Sequence, residues 1–394
     1  MKLCGVVAEY NPFHNGHAWQ LARARALSGC DGLIVCMGGG VSQRGEVMLL
    51  DKWTRARMAL EHGADVVVEL PALFAVRPAE AFARGGVLTL AGLGVDALSF
   101  GCETDDLALL RRLARALADE SAPLSAETRA GLMAGKSHAR ARGEAAERLY
   151  GLPEGLIGQP NVTLGLEYLR ALDALGRPVE VFVVPRRGGY HDAALGEYAS
   201  ASAIRAALET PGADLGAAMP ADCLDALRAC LADGRVARPD RLDAALIHRL
   251  RTAGPEALAA LADVTEGMER LFIRHAALCG SRDALLARVK CKRYTYARLS
   301  RFCACALLGL TRADTLSHPA PEYARVLGFR KDAHPLLRRL SETSALPLVT
   351  DPVALKGSPL FRFDSLATDL QALAMDNPDC RAAGQDFTRQ IVIV

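Results

Sequence analysis

The sequence predicts an α/β protein: an open parallel sheet flanked by helices, followed by a mainly α-helical C-terminal region. Three observations carry this. Over the first hundred residues β-like apolar runs alternate regularly with helix-like segments. Capping and breaking residues stand where that alternation changes phase. From about residue 207 the alternation gives way to long Ala/Leu/Arg-rich stretches that favour helix.

Strands are read at residues 2–8 (KLCGVVA), 32–37 (GLIVCM), 65–70 (DVVVEL) and 95–100 (VDALSF), with helices near 16–27, 51–62 and 78–92. Asp51 precedes the second helix as its N-cap, Gly63 follows it as a C-cap, and Pro71 closes the third strand. Residues 104–150, rich in Ala, Leu, Arg and Glu, read as helical, and 151–160 as a Gly/Pro-rich connection. A helix near 162–175 then leads into VEVFVV, residues 179–184, expected as another strand of the same sheet. After it come the loop PRRGGYHD and the segment ASASAIR, which begins a helix near Ser202. Long helices run through 311, and in the tail YARVLGF and LPLVT read as short strands. A boundary near 206 divides the chain into residues 1–206 and 207–394; no internal repeat is evident.

A chain of 394 residues with 51% hydrophobic content is long for one core and suits two or three domains. A formal charge of +2 and a pI near 8.0 exclude wholesale nucleic-acid or membrane binding, so any such contact must come from a local patch. The first apolar run is broken by Glu9 and Asn11 too early for a signal peptide, and no apolar stretch approaches the roughly 20 residues that span a bilayer. A cytoplasmic protein with no membrane partner is expected. The 11 cysteines are scattered, Cys4, Cys36 and Cys279 inside apolar runs, and Cys303 and Cys305 form C-x-C rather than C-x-x-C. This predicts reduced, buried thiols and assigns no metal ligands.

The residues suited to chemistry begin with AEYNPFHNGHAWQ, residues 8–20, at the carboxyl end of the first strand, where open parallel sheets bind ligands. A helix starting at Asn15 or Gly16 aims free backbone N–H groups and the positive end of its dipole at the crevice, which favours phosphate. His14 lies just before that helix and His17 in its first turn, so both imidazoles can converge on the same oxygens. Gly16 leaves room for close approach to the backbone. Farther on, Ser200 and Ser202 in SASAIR open a late helix, with Arg205 beside them.

The pair around Asn-Gly resembles the H-x-G-H signature of the nucleotidyltransferase superfamily, and SASAIR resembles that superfamily's I-S-S-T-x-I-R motif, whose hydroxyls hold β and γ phosphates. EYNPFHNGH, SQRGEV-x-x-x-DKW, GADVVVELP, SFGCE, PNVTLGLEYL, RRGGYHD and SASAIR follow one another in a single order. The whole set resembles the bacterial tRNA(Met) cytidine acetate ligase family over most of the chain. The resemblance implies a Rossmann-like parallel-sheet nucleotidyltransferase domain in residues 1–206 and a tRNA-binding helical region in 207–394. It makes His14 and His17 catalytic. It also implies ATP binding by Val7, Ala8, Glu9, Tyr10, Asn11, Pro12, Phe13, His14, Asn15, Gly16, His17, Ala18, Trp19 and Gln20. Gly101, Asn161, Ser200, Ser202 and an arginine at Arg186 or Arg187, the former favoured, complete that set. The chain departs from the family at MGGGVSQRGEV, where the family usually reads M-S-G-N-F-x-Q-R-G-E-P, and the PRRGGYHD loop is one residue short.

Residues 282–301 hold seven Lys or Arg against the single acid Asp283, with Tyr294 and Tyr296 interleaved. Cations with aromatics suit a phosphate backbone and unstacked bases. With the resemblance, Lys290, Lys292, Arg293, Arg298 and Arg301 are expected to bind tRNA. The implied reaction is ATP-dependent activation of acetate and acetylation of the wobble cytidine of elongator tRNA(Met) to N4-acetylcytidine, with Mg²⁺ accompanying ATP and no protein partner. Two other readings share some of these features. An adenylyl- or cytidylyltransferase acting on a small phosphate ester leaves the basic helical half unexplained, and an RNA-binding protein that only senses ATP releases no pyrophosphate. An aminoacyl-tRNA synthetase is disfavoured by the lack of a K-M-S-K-S-like loop.

Overall fold

The structure is a computed structural model that describes the chain except residues 119–120, 137, 188–194, 211 and 266. Its sheet is built from β1 (Leu3–Ala8), β2 (Gly32–Gly38), β3 (Val66–Leu70), β4 (Ala97–Cys102) and β5 (Glu180–Pro185), all mutually parallel, in the order β5-β4-β1-β2-β3. The first strand therefore lies in the middle and the crossovers run outward from it in both directions. Such a strand-order reversal, here between β1 and β4, opens a crevice beyond the carboxyl ends of the two strands.

The central strands are buried on both faces, and successive side chains enter opposite cores with the two-residue period of a pleated sheet. Leu3 and Val7 of β1, with Ile34, Cys36, Val66 and Val68, feed one core. Cys4 and Val6, with Leu33, Val35 and Val67, feed the other. The first core is covered by the helices Ala79–Gly92, Pro160–Asp173 and Tyr296–Leu308, and the second by Asn15–Ser28, Lys52–Glu61 and Ala221–Ala232. The fold is thus the expected α/β class. The stretch 104–150 forms three helices, Leu107–Ala118, Ala122–Met133 and His138–Tyr150, rather than a continuous run.

The region after residue 206 is mostly helical, yet it returns to the sheet. β6 (Ala324–Phe329) pairs antiparallel with β3, β7 (Leu348–Val349) pairs with β6, and β8 (Val392–Ile393) also pairs with β6. A buried ionic cluster holds this return in place. Lys52 Nζ lies 2.6 Å from Glu69 of β3 and 2.7 Å from Asp386, while Arg325 of β6 reaches the same Glu69 at 2.8 Å and also pairs with Asp386. All four side chains are at most 3% exposed. In such surroundings each charge needs the opposite charges beside it, so the cluster ties the tail to β3 and to the Lys52–Glu61 helix. The cysteines are free thiols, and all but Cys291 and Cys380 are buried.

Candidate active site

A cleft of about 530 Å³ opens beyond β1 and β4, a size that suits a nucleotide. Val7 and Ala8 of β1, Gly101 of β4 and Val184 of β5 form its floor. The strand-to-helix turn after β1 supplies one wall. There His14 is the N-cap of the helix Asn15–Ser28: its Nδ1 accepts from the Gly16 N–H at 3.0 Å. The His14 N–H in turn donates to His17 Nδ1 at 3.3 Å. The two rings stack with centroids 3.7 Å apart. A capping box made of two histidines thus fixes both imidazoles on the cleft wall.

This arrangement decides their protonation. Burial, reinforced by the Arg186 guanidinium, pushes His14 down to about 3, and burial with His14 and Arg186 pushes His17 well below the usual imidazole range. Both rings are neutral near pH 7. Because each Nδ1 accepts from the backbone, the single ring proton belongs on Nε2. The pair therefore offers two N–H donors beside the free amides of a helix N-terminus, an arrangement suited to phosphate oxygens. Gly16 has a local reason as well: a Cβ there would stand 2.9 Å from His14 Cε1, so the glycine makes room for the ring that caps it.

Of the residues expected to bind nucleotide, Val7 through Asn11, His14, Gly16, His17, Trp19, Gln20, Gly101, Asn161, Arg186, Arg187, Ser200 and Ser202 line the cleft. Pro12, Phe13, Asn15 and Ala18 do not. Phe13 is fully buried behind the turn and stacks on His62 at 5.3 Å. Asn15 Nδ2 donates to the carbonyls of Glu197 and Ala217, so it fastens the turn to later loops rather than facing a ligand. Asn161 donates to Glu103 at 2.7 Å, and the other Glu103 oxygen accepts from Val162 N–H, so one carboxylate orients the amide and caps its helix. Arg187 stacks on Trp19 at 3.8 Å and donates to Tyr198, whereas Arg186 is the arginine whose charge reaches both histidines. Ser200 caps its helix by accepting from Ala203 N–H and lies 2.9 Å from Ser202 Oγ. The loop residues 188–192 of PRRGGYHD lie outside the described residues.

The opposite wall comes from segments far apart in the chain. The glycine-rich loop after β2 is clamped by the fully buried Arg55, which donates to the carbonyls of Glu9, Gly38 and Gly39. Glu9 accepts from Gln43 N–H at 2.5 Å, and burial raises its carboxyl above the usual range. Gly45, at φ +75°, packs so closely on the Tyr296–Leu308 helix that a Cβ would sit 2.7 Å from Arg301 Cα. Ser42, Gln43, Arg44, Glu46, Arg205, Thr295 and Ala297 line this side of the cleft. Arg205 donates to Asn11 carbonyl at 2.7 Å and approaches Glu46 at 3.9 Å. Tyr168 and Phe82, also in the lining, carried no signal in the sequence beyond being apolar.

The basic run divides. Lys290, Lys292 and Arg293 are exposed; Arg298 is half-buried and hydrogen-bonds Thr265; Arg301 is buried, lines the cleft, and reaches the Gln43 carbonyl at 3.4 Å. Arg301 thus sits inside the cleft wall, apart from the exposed three. Among the described residues, the one group of His, Cys and acidic side chains close enough to share an ion is His62, Asp222 and Cys223, which does not line the cleft. No helix among the described residues is long and apolar enough to cross a membrane.

The parallel strands β1 to β5, with a histidine-capped helix at their switch point, suit a nucleotide, and the class is that of the nucleotidyltransferases: a family model described as HIGH Nucleotidyl Transferase matches residues 1–386. The tRNA(Met) cytidine acetate ligase of Latilactobacillus sakei is 37% identical over 91% of this chain and 90% of its own length. That of Acetivibrio thermocellus is 34% identical over the full length of both. The crystal structure of Thermotoga maritima TmcAL bound with alpha-thio ATP superposes with a TM-score of 0.90, at 29% identity and full coverage of both chains. The chain belongs to the tRNA(Met) cytidine acetate ligase family of HIGH nucleotidyl transferases.

Proposed function

We propose that this protein activates acetate with ATP and transfers the acetyl group to the wobble cytidine of elongator tRNA(Met), forming N4-acetylcytidine. The observation that carries the reading is the histidine capping box: two neutral imidazoles, each tied through Nδ1 to the backbone, with their Nε2–H groups left for phosphate. ATP enters as its magnesium complex, the ion belonging to the substrate and riding on phosphate oxygens. His14, His17, the helix N-terminus and Arg186 receive the phosphates, with Ser200 and Ser202 at the β and γ positions. Gly101 and Asn161 take the nucleoside end.

An acetate oxygen attacks the α-phosphorus while the bond to the β-phosphate oxygen breaks, and pyrophosphate leaves with the electron pair. The chain's contribution is positioning and charge stabilisation by donors already in place, without a covalent enzyme intermediate. The cytidine N4 amine then attacks the acetyl carbonyl. The carbon–oxygen bond to the phosphate breaks, AMP departs and the amine loses a proton. That amine is a weak nucleophile because its lone pair is delocalised into the ring, which is why acetate must be activated first. Residues 1–206 serve the nucleotide chemistry, and Lys290, Lys292, Arg293, Arg298 and Arg301 of the 207–394 region serve the tRNA. Of these, the exposed three contact its backbone and Arg301 acts at the cleft wall. The cytoplasm is where such a substrate is met.

The test is to incubate purified protein with ATP, labelled acetate and bulk tRNA. Label in RNA together with AMP and pyrophosphate is expected. Pyrophosphate released only when a small phosphate ester is supplied, with no label in RNA, would replace this reading with transfer to that ester.

A further inference from the structure

The basic run contains two tyrosines in nearly adjacent positions, and the structure separates them completely. Tyr294 is 5% exposed and covered by the guanidiniums of Arg298, at 5.3 Å, and Arg293, at 5.9 Å. Tyr296, the first residue of its helix, is 46% exposed. Its neighbours Thr295 and Ala297 both line the cleft. A large exposed aromatic at the lip of a ligand cleft, within a cationic stretch, matches the requirements for receiving a splayed nucleobase.

Helix periodicity gives the direction. Ala297 and Arg301 are four apart and share the stripe that faces the cleft. Tyr296 and Ser300 form the adjacent stripe. Ser300 Oγ donates to Gly45 carbonyl at 3.2 Å and accepts from Arg282 at 2.6 Å, while Arg282 also lies against the Tyr296 phenol and 3.9 Å from Glu46. Glu46 in turn reaches Arg205, which holds the Asn11 carbonyl of the nucleotide turn. Tyr296 is therefore fixed at the rim by the same contacts that build the opposite wall of the cleft. The exposed Lys290, Lys292 and Arg293 stand just before it in the chain.

We propose that Tyr296 is the platform on which the acceptor cytosine stacks while its N4 amine is presented to the cleft. This rests on the function proposed above. A π-face holds a base without reading its identity, so Tyr296 positions the base and other groups select it.

Two assays separate this inference from the function on which it rests. Acetate-dependent exchange of labelled pyrophosphate into ATP needs no tRNA, and Tyr296→Ala is expected to retain it, which also shows that the variant is folded. Acetyl transfer to tRNA by Tyr296→Ala should fall in kcat/KM by roughly 10- to 100-fold, with Tyr296→Phe and Tyr296→Trp restoring most of it. The salt dependence of tRNA binding should keep its slope in Tyr296→Ala, because stacking releases no counterions. Wild-type transfer rates in Tyr296→Ala, or a Tyr296→Phe variant as defective as the alanine one, would overturn the inference. The second result would assign the role to the hydroxyl and Arg282. Absence of exchange in the wild-type protein would instead overturn the proposed function.

Discussion

Lys52, Arg55 and Arg325 are the same kinds of residue as Lys290, Lys292 and Arg293, yet they do opposite work. The first three are at most 3% exposed and hold protein groups: Lys52 and Arg325 bind Glu69 and Asp386, and Arg55 binds three carbonyls around the glycine-rich loop. The second three face solvent. A cation taken out of water must have its partners within the fold, whereas one at the surface is held in large part by water. The buried set thus holds the fold together, and the exposed set is the one the proposed function assigns to tRNA. The same substitution should read as lost stability in one set and as altered salt dependence in the other.

The largest effect is expected at Lys52. Lys52→Met leaves Glu69 and Asp386 with only Arg325 for compensation, and should lower the free energy of unfolding by about 3–5 kcal/mol in urea denaturation. Next comes His17→Ala. It removes the N–H donor that the proposed mechanism assigns to phosphate and should lower kcat roughly 10²- to 10³-fold, with a loss of only about 1 kcal/mol in stability from the broken capping box. Full activity in this variant would leave the turn a structural motif only.

Per unit of pH, a smaller effect follows from acid. Both histidines are neutral in the fold, with His14 down at about 3. Unfolded histidine protonates near pH 6.5, so the unfolded chain takes up protons that the fold refuses. His14 contributes its full stability above about pH 6.5 and loses it as the pH falls towards 3, at up to about 1.4 kcal/mol per unit, and His17 adds to the loss in the same direction. His14→Gln should flatten that slope in acid denaturation. Least of all, Lys292→Ala should leave unfolding unchanged and reduce the slope of log affinity for tRNA against log salt by about 0.7–0.9. Destabilisation by Lys292→Ala, or an unchanged unfolding curve in Lys52→Met, would break the comparison.

How much of this was legible in the sequence depended on how far apart the cooperating residues lie. The nucleotide wall is nearly contiguous, so the strand, the turn and both histidines could be placed together from residues 2–20 alone. Even there, Phe13 and Asn15 were read as ligand contacts, although one packs behind the turn and the other fastens it to the Glu197 and Ala217 carbonyls. The opposite wall joins Gln43 to Arg301 across 258 residues, and no local pattern encodes that pairing. Arg301 looked like one more cation in a basic run. It lies among Leu299, Phe302 and Cys305 on a helix buried over most of its length, which draws it inward. The tail strand β8 is only two residues long, and its return to the sheet depends on pairing with β6 that its own sequence does not announce.

On the proposed mechanism, the histidine-capped cleft activates acetate before any RNA is bound. The measurement that tests it most directly is exchange of labelled pyrophosphate into ATP by the wild-type protein, with and without acetate, in the absence of tRNA. Exchange that requires acetate is the predicted result. No exchange, or exchange at the same rate without acetate, would contradict it.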